Sequence, residues 1–343
     1  MSRKQLVIIL LLLTTLFCST TTAQLKGKIA RRVNIDFRPE AMLVLPDGTG
    51  FIATELPYQM IHWDFKLMKP LGATASRAVA TAALIHDHLL AKVYRISYQG
   101  IEIYNAASGE AEGEMRPFRS TVVGGVFDAA TGRLVVVGRR SVFFVDPESR
   151  QMLAETLITT GNQMATACLT IIDRRLYVAV QTGADNQLLA IPVDLDRYTA
   201  GVPISLGEKS QTLPLTFVMR PGQEEFYLSG SESKGAARLF VKALSVARGE
   251  FSRLFLQGLE QPPQLVFSAN GRHLVAYGRA PLAKSRRSSE NVVLGNLVLI
   301  AISTVNDVIL ASDDISDPRG VAFSPDGEKL YVFDGEGHIF TIN

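Results

Sequence analysis

The residues best suited to metal chemistry form one short run, His86-Asp87-His88, which holds two of the chain's five histidines. Imidazole and carboxylate groups are zinc ligands, but a zinc site needs three or four ligands that converge in the fold. The run lies in a short turn between apolar segments, and such a turn offers at most two of these side chains on one side. We therefore expect an exposed hairpin turn here and no metal site.

Two acidic pairs suggest calcium, Asp194 with Asp196 and Asp313 with Asp314. Neither pair is followed by the glycine and the distal glutamate of a calcium-binding loop. We expect both to be solvated turns. The sequence also contains no Gly-x-Ser-x-Gly, Cys-x-x-Cys or His-Glu-x-x-His motif, so the common local signatures of hydrolases and redox enzymes are missing from it.

The segment Gly48-Thr-Gly-Phe-Ile-Ala53 matches the glycine pattern of a dinucleotide-binding turn. In that turn a helix follows the glycines, and its N-terminus holds the pyrophosphate. Here residues 51–54 continue as an apolar strand instead. We expect a hairpin turn at this position and no cofactor.

The first 23 residues have the anatomy of a secretory signal peptide. Arg3 and Lys4 precede an unbroken apolar run from Leu6 to Leu13, and small residues precede Gln24. A transmembrane helix needs about 20 apolar residues, and this run turns to Thr and Ser too early. We predict cleavage after Ala23, which leaves residues 24–343 as one secreted or periplasmic domain.

Removal of this segment changes the net charge and the number of cysteines. The chain has 35 Lys and Arg against 33 Asp and Glu, and losing Arg3 and Lys4 leaves 33 of each. A chain without net positive charge gives no electrostatic reason to expect a nucleic-acid partner. Cys168 becomes the one cysteine. It lies in an apolar run without a basic neighbour, so we expect a buried, inert thiol.

A strand–turn–strand unit recurs along the rest of the chain. The last copy, Gly320–Phe333, has a Pro-Asp-Gly turn between two apolar strands, and Ala41–Thr54 repeats it. The spacing between copies, 39–56 residues, is the length of a four-stranded propeller blade. The first apolar residues after the seven turns are Phe51, Leu90, Leu134, Leu176, Phe226, Leu274 and Leu330.

Ser324-Pro-Asp-Gly327 followed by Leu330-Tyr-Val332 resembles the YVTN-type repeat of quinoprotein amine dehydrogenase-like β-propellers. The resemblance implies an all-β fold, a seven-bladed β-propeller of four-stranded antiparallel blades. The last blade lacks a fourth strand at the C-terminus, so we expect residues 28–35 to pair beside residues 337–342 and close the ring. Trp63 is expected in the core between blades.

Alignment of the repeats places Glu40 and Arg319 at one mouth of the central channel, on adjacent inner strands and near enough to pair. The equivalent positions in the other five blades are apolar or small. A metal-dependent lactonase needs several acids or amides that converge there, and a redox enzyme needs a cofactor-binding motif. This pattern argues against catalysis at the axis.

The loops between the second and third strands of blades four to six are long and polar. Such loops share a face with the links between blades, and loops on rigid scaffolds often carry function. A solvated charged loop is the alternative interpretation. The predicted binding residues are Asp185, Asn186, Glu232, Lys234, Lys284, Arg286 and Arg287.

Two functions stay open, because propellers host many unrelated ones. The first is an exported, monomeric binding or scaffold module for a protein or a cell-envelope polymer, with no catalysis, cofactor or metal. It would bind no nucleic acid and would not insert into a membrane after signal cleavage. The second is a periplasmic enzyme of lactonase or quinoprotein dehydrogenase type.

Overall fold

The structure is a computed structural model that describes residues 29–342, except for the short segments that follow. They are residues 56, 117, 119, 160–163, 169–170, 183–184, 210–215, 224, 232–238, 246–250, 258–262, 279–292, 295–296, 302–306, 313–314 and 316–317. The described residues form strands joined by turns and loops, with no helix among them.

Seven antiparallel sheets follow one another along the chain, and the strand that comes first in the sequence, β1 (Ile29–Asn34), belongs to the last of them. Blade one contains β2 (Pro39–Val44), β3 (Thr49–Thr54), β4 (Gln59–Asp64) and β5 (Lys69–Ala75). Blade two contains β6 (Thr81–Asp87), β7 (Lys92–Ser97), β8 (Gly100–Asn105) and β9 (Ala111–Met115). Blade three contains β10 (Val122–Asp128), β11 (Arg133–Gly138), β12 (Ser141–Asp146) and β13 (Gln151–Leu157).

The next two blades depart slightly from four strands. Blade four contains β14 (Met164–Cys168), β15 (Arg175–Gln181) and β16 (Gln187–Asp194), and its outer position is divided between β17 (Thr199–Ala200) and β18 (Ile204–Lys209). Blade five contains β19 (Phe217–Met219), β20 (Glu225–Ser231), β21 (Leu239–Ser245) and β22 (Phe251–Gln257). A short strand from later in the chain, β25 (Val293–Leu294), pairs in parallel with β22.

The last two blades complete the ring. Blade six contains β23 (Gln264–Phe267), β24 (His273–Tyr277), β26 (Leu297–Ala301) and β27 (Asp307–Ser312). Blade seven contains β28 (Gly320–Phe323), β29 (Lys329–Phe333) and β30 (Glu336–Thr341), followed by β1. The first strand of each blade contacts the first strand of the next, and β28 of blade seven contacts β2 of blade one. The predicted seven-bladed β-propeller is confirmed.

Ring closure by the N-terminal strand is also confirmed. Strand β1 pairs antiparallel with β30, with Val33 opposite Gly337 and Asn34 opposite Glu336. The register shifts between Ile29 and Arg31, where the sequence interrupts its apolar alternation. The first and last described strands of the chain therefore hold each other in one sheet, and β30 keeps no free edge.

The core lies between the blades, because each strand directs alternate side chains to its two neighbours. Strand β11 shows the pattern: Leu134 and Val136 pack in the core shared with blade two, and Val135 and Val137 pack in the core shared with blade four. Trp63 is buried between blades one and seven, where its ring meets Phe333 edge-on at 5.7 Å. The expected core position of Trp63 is confirmed.

The Pro-Asp-Gly segments form tight turns, as predicted. Gly48 and Gly327 adopt φ angles of 88° and 76°, a region that other residues enter at a cost. Gly48 precedes strand β3, and the segment that matched a dinucleotide-binding turn is therefore a hairpin.

The predicted turn at His86–His88 lies two residues too early. Strand β6 continues through Asp87, and the turn occupies residues 88–91. Asp87 is buried and accepts hydrogen bonds from the backbone N–H groups of Leu89 and Leu90. Leu90, predicted as the first apolar strand residue after the turn, is therefore a half-exposed turn residue. Val93 occupies the buried position expected for Leu90. The error arose because this turn itself contains apolar residues.

Candidate functional site

The loops of the ring lie on two opposite faces, because successive strands run in opposite directions. The term linker face is used for the side that carries the links between blades and the loops between second and third strands. Its described segments include residues 35–38, 76–80, 98–99, 120–121, 139–140 and 334–335. The term turn face is used for the opposite side, which carries the turns between first and second strands and the turns between third and fourth strands. Its described segments include residues 45–48, 88–91, 129–132, 195–198 and 325–328.

The predicted binding residues that the structure describes are Asp185 and Asn186, in the linker-face loop between β15 and β16. The Thr182 hydroxyl donates a hydrogen bond to the Asp185 carboxylate at 2.6 Å, and Asn186 has a φ of 58°. Both residues thus shape their own loop. Glu232, Lys234, Lys284, Arg286 and Arg287 lie outside the described residues.

Glu40 and Arg319 lie at the start of adjacent inner strands, on the linker face. The structure gives them different ion-pair partners. Arg319 Nη1 lies 3.0 Å from Glu55 Oε2, and Glu55 also pairs with Arg38 at 3.1 Å. Glu40 Oε2 lies 3.3 Å from Arg95 Nη2. The two residues therefore belong to separate clusters, one at each side of blade one.

The cluster around Arg95 lies inside the junction of blades one and two. Arg95 is the largest fully buried side chain in the described part of the chain. Its Nε donates to Thr81 Oγ1 at 2.8 Å, and its Nη1 lies 3.9 Å from Glu102 Oε2. Glu40 in turn accepts from the Thr81 N–H at 2.8 Å. A buried cation is thus placed between two carboxylates.

Glu102 fixes the link between these blades. One carboxylate oxygen accepts the N–H groups of Arg77 and Ala78 at 2.8 and 3.2 Å. The other accepts the hydroxyls of Ser76 and Tyr104 at 2.7 and 2.8 Å. Burial, and next the charge of Glu102, raise the pKa of the Tyr104 phenol, so the phenol stays a donor. The cluster therefore sets the course of residues 76–78 across the linker face.

Sequence reasoning missed Arg95 and Glu102. At the equivalent position of the second strand, blades one, three and seven hold Ile52, Val136 and Val332, all fully buried. The signal was present in the run Val93-Tyr-Arg-Ile-Ser97, where a charged residue takes a place that is apolar in the other repeats.

The exposed part of the linker face is rich in arginine. Arg116 pairs with Glu114 at 3.2 Å. Arg77, Arg139 and Arg140 are exposed, and none of them forms an ion pair with a described residue. On the same face lies an open groove of about 1000 Å³, a volume that includes the solvent above it. The groove is lined by Tyr98, Gln99, Arg116, Phe118, Ser120 and Thr121.

The turn face carries ion pairs as well, together with exposed arginines at residues 175, 197 and 272 that form no ion pair with a described residue. Arg174 lies 2.5 Å from Asp128 and 2.7 Å from Asp196, and so it joins blades three and four. Burial of Asp128 opposes its ionisation, yet hydrogen bonds from Arg174 and Thr131 outweigh burial and lower its pKa.

Metal binding finds little support among the residues that the structure describes, where no three His, Cys, Asp or Glu side chains come together as ligands. Over the same part of the chain, no helix has the length and apolar character needed to span a membrane.

Comparison with known proteins bears on the fold. No family model matches the sequence, and no curated protein matches it. Among solved structures, 1188 chains match, which marks a common architecture. One is hydrazine synthase of Kuenenia stuttgartiensis, with a TM-score of 0.70, 13% identity, and coverage of 92% of this chain and 99% of that one. At that identity the likeness shows the fold alone. The YVTN-type assignment within the fold stays a prediction.

Proposed function

We propose that this chain is an exported binding or scaffold module that holds a protein or a cell-envelope polymer on its linker face, without chemistry of its own. One observation carries the proposal. Arg77, Arg139 and Arg140 are exposed on that face and form no ion pair with a described residue. Guanidinium groups that form no ion pair with the described residues can bind a partner outside the chain, and arginine is enriched in protein interfaces.

The charged groups nearest the axis support binding over catalysis. Both carboxylate oxygens of Glu40 are engaged, one with the Thr81 N–H and the other with the Thr81 hydroxyl and Arg95. A general acid or base needs a position within reach of a substrate proton. Here Glu40 holds a neighbouring strand, and it contributes to the shape of the ring.

The location and the partner follow from the sequence. We propose that residues 1–23 act as a signal peptide and direct the chain to the periplasm or outside the cell, where proteins and envelope polymers are the accessible partners. With 33 acidic and 33 basic residues after cleavage, the chain as a whole has no net charge. Attraction to a partner therefore depends on the local distribution of charge, and we propose a monomer that acts through one face.

A photocrosslinking experiment tests this proposal. A benzophenone amino acid replaces Tyr58 on the linker face or Leu89 on the turn face, both exposed aromatic or aliphatic side chains. Each purified chain is irradiated with envelope fraction from the source cells. We expect an adduct from position 58 that unlabelled chain suppresses, and none from position 89. Equal adducts from both positions, or none from either, would contradict the proposal, and turnover of lactones or amines would favour the enzyme.

A further inference from the structure

The groove on the linker face has firm walls. Its first wall is the hairpin Tyr98-Gln99, which is pressed against the end of β9, because a Cβ on Gly100 would lie 2.7 Å from the Met115 carbonyl oxygen. Its second wall is residues 120–121, where the Thr121 carbonyl accepts the Arg139 N–H at 3.1 Å. The site is thus preorganised, which lowers the entropy cost of binding.

The floor of the groove is aromatic. Phe118 is buried and stacks on Phe143 of the blade-three core, with 5.2 Å between ring centroids. Tyr98 stands at the rim with 50% of its surface exposed. An exposed tyrosine above a buried phenylalanine gives an apolar contact surface with a polar edge.

Arg116 lines the groove itself, and three further arginines lie in segments beside it. Arg77, Gln99 and Arg116 line a second small cleft that adjoins the groove. Arg139 and Arg140 follow Gly138, where a Cβ would lie 3.1 Å from Ser120 Oγ at the other end. Glu114 is paired with Arg116, and the neighbouring Glu102 is engaged in the blade junction. Positive charge therefore exceeds negative charge along the depression.

We propose that this groove binds an acidic, aromatic-containing segment of a protein partner. The proposal rests on the binding function argued above and assigns its site and its ligand chemistry. Carboxylates suit the fork of guanidinium donors, and an aromatic side chain suits Tyr98 and Phe118. Tyrosine and arginine together are typical of protein hot spots. The groove is lined by six described residues, so it offers a contact surface for a short segment and not for a folded domain.

The proposal is tested by fluorescence anisotropy on the whole mature chain. The probe is a labelled peptide (Glu-Phe-Asp)₄, and its amide counterpart (Gln-Phe-Asn)₄ is the matched ligand. The first variant is Arg116→Ala/Arg139→Ala/Arg140→Ala. The control is Arg175→Ala/Arg197→Ala/Arg272→Ala, which removes three exposed arginines from the turn face and changes the net charge equally.

We expect the acidic peptide to bind more tightly than the amide peptide. The linker-face variant should lose about tenfold in affinity, and its dissociation constant should depend less steeply on salt. Tyr98→Ala should weaken binding at every salt concentration alike. The turn-face control should bind as the parent chain does.

Three results would overturn the proposal. They are equal losses in both triple variants, equal affinity for the two peptides, and displacement of the peptide by an anionic polysaccharide or an oligonucleotide at lower concentration. If the acidic peptide does not bind while the benzophenone at position 58 still forms its adduct, the groove is the wrong site and the proposed binding function stands. If both fail, the binding function itself is wrong.

Discussion

The two faces of the ring close their loops with different chemistry. On the turn face, carboxylate or amide side chains accept the N–H groups of their own turns. Asp64 does so from Lys66 and Leu67, and Asp194 does so from Asp196 and Arg197. Further members of this set are Asp47, Asp87, Asn105, Asp128, Asp146, Asn270 and Asp326.

On the linker face, neutral hydroxyls do the same work. Thr54, Ser97 and Thr182 accept N–H groups of the loops between the second and third strands of blades one, two and four. Asp334 of blade seven is the exception, since its carboxylate accepts the N–H groups of Gly335 and Glu336.

This difference bears on the ion pairs of the two faces. A carboxylate in a turn can supply a counter-ion for an arginine nearby, as Asp128 and Asp196 do for Arg174. A hydroxyl supplies none. The arginines at residues 77, 139 and 140 form no ion pair with a described carboxylate, and the groove beside them gives a partner a place to bind, whereas Arg174 on the turn face is held by two carboxylates. The following predictions test this comparison, starting with the largest effect.

The two faces exist only in a closed ring, and removal of β1 should open that ring. Deletion of residues 24–34 leaves β30 without its partner strand and exposes the core under Val33. We expect loss of the cooperative thermal transition, because an opened ring exposes strand edges and interblade core together. A chain that begins at residue 29 keeps β1 and is the control. Equal melting temperatures for both chains would rule out closure as the source of stability.

Arg95→Met should produce the next largest effect. The substitution removes the buried cation and leaves Glu40 and Glu102 facing each other, with side chains that are only 22% and 15% exposed. Breaking a buried pair in this way costs about 3–5 kcal/mol of unfolding free energy. Urea denaturation measures the loss.

The matched variant is Glu40→Gln/Arg95→Met/Glu102→Gln, which carries no uncompensated charge at the junction. We expect it to recover more than half of the stability lost by Arg95→Met. A single variant as stable as the parent chain would show that the cluster plays no part in holding blades one and two together.

Repeats made the fold predictable from the sequence. A Pro-Asp-Gly turn between apolar strands specifies a hairpin through local geometry alone, and the two copies of it together with five looser strand–turn–strand units predict a seven-bladed propeller. The missing fourth strand of blade seven likewise directed attention to residues 28–35. In the His86–His88 segment the same reasoning shifted the turn by two residues, because apolar Leu89 and Leu90 occupy the turn.

The clusters on the linker face depend on contacts between distant residues. Arg95 and Glu40 are 55 residues apart, and Arg319 and Glu55 are 264 apart. Repeat alignment predicts that Glu40 and Arg319 lie at one mouth, and the structure has Glu40 in β2 and Arg319 directly before β28, two strands that contact each other. Which carboxylate each arginine meets is set by side-chain reach across blade junctions, and repeat spacing carries no information on that.

The tight turns of the turn face should tolerate substitution unequally. Gly327→Ala forces a Cβ into a φ of 76° and within 2.8 Å of Asn270 Nδ2. Gly222→Ala meets nearly the same angle, 72°, but nothing within 4 Å. We expect about 1 kcal/mol of destabilisation at residue 222 from backbone strain alone. Residue 327 should lose more, since its turn also packs on that of blade six. Equal losses would contradict this packing.

The smallest effect is a pH-dependent one at the Arg174 bridge. Hydrogen bonds from Arg174 and Thr131 overcome the burial of Asp128 and hold its pKa below the ordinary value of 3.8. A lowered carboxyl pKa stabilises the fold above that ordinary value, and the stabilisation is lost as the pH falls towards the folded-state pKa. Asp128→Asn should therefore cost about 1 kcal/mol at neutral pH.

The loss caused by Asp128→Asn should begin to shrink as the pH falls below about 4, and it should vanish below the lowered pKa of Asp128, where the carboxylate of the folded parent chain is protonated too. Chemical denaturation at a series of pH values measures the difference. Asp173→Asn, at an exposed position beside Arg174, is the control and should match the parent chain throughout. A loss at Asp128 that persists unchanged into acid would mean that its role is shape and not charge.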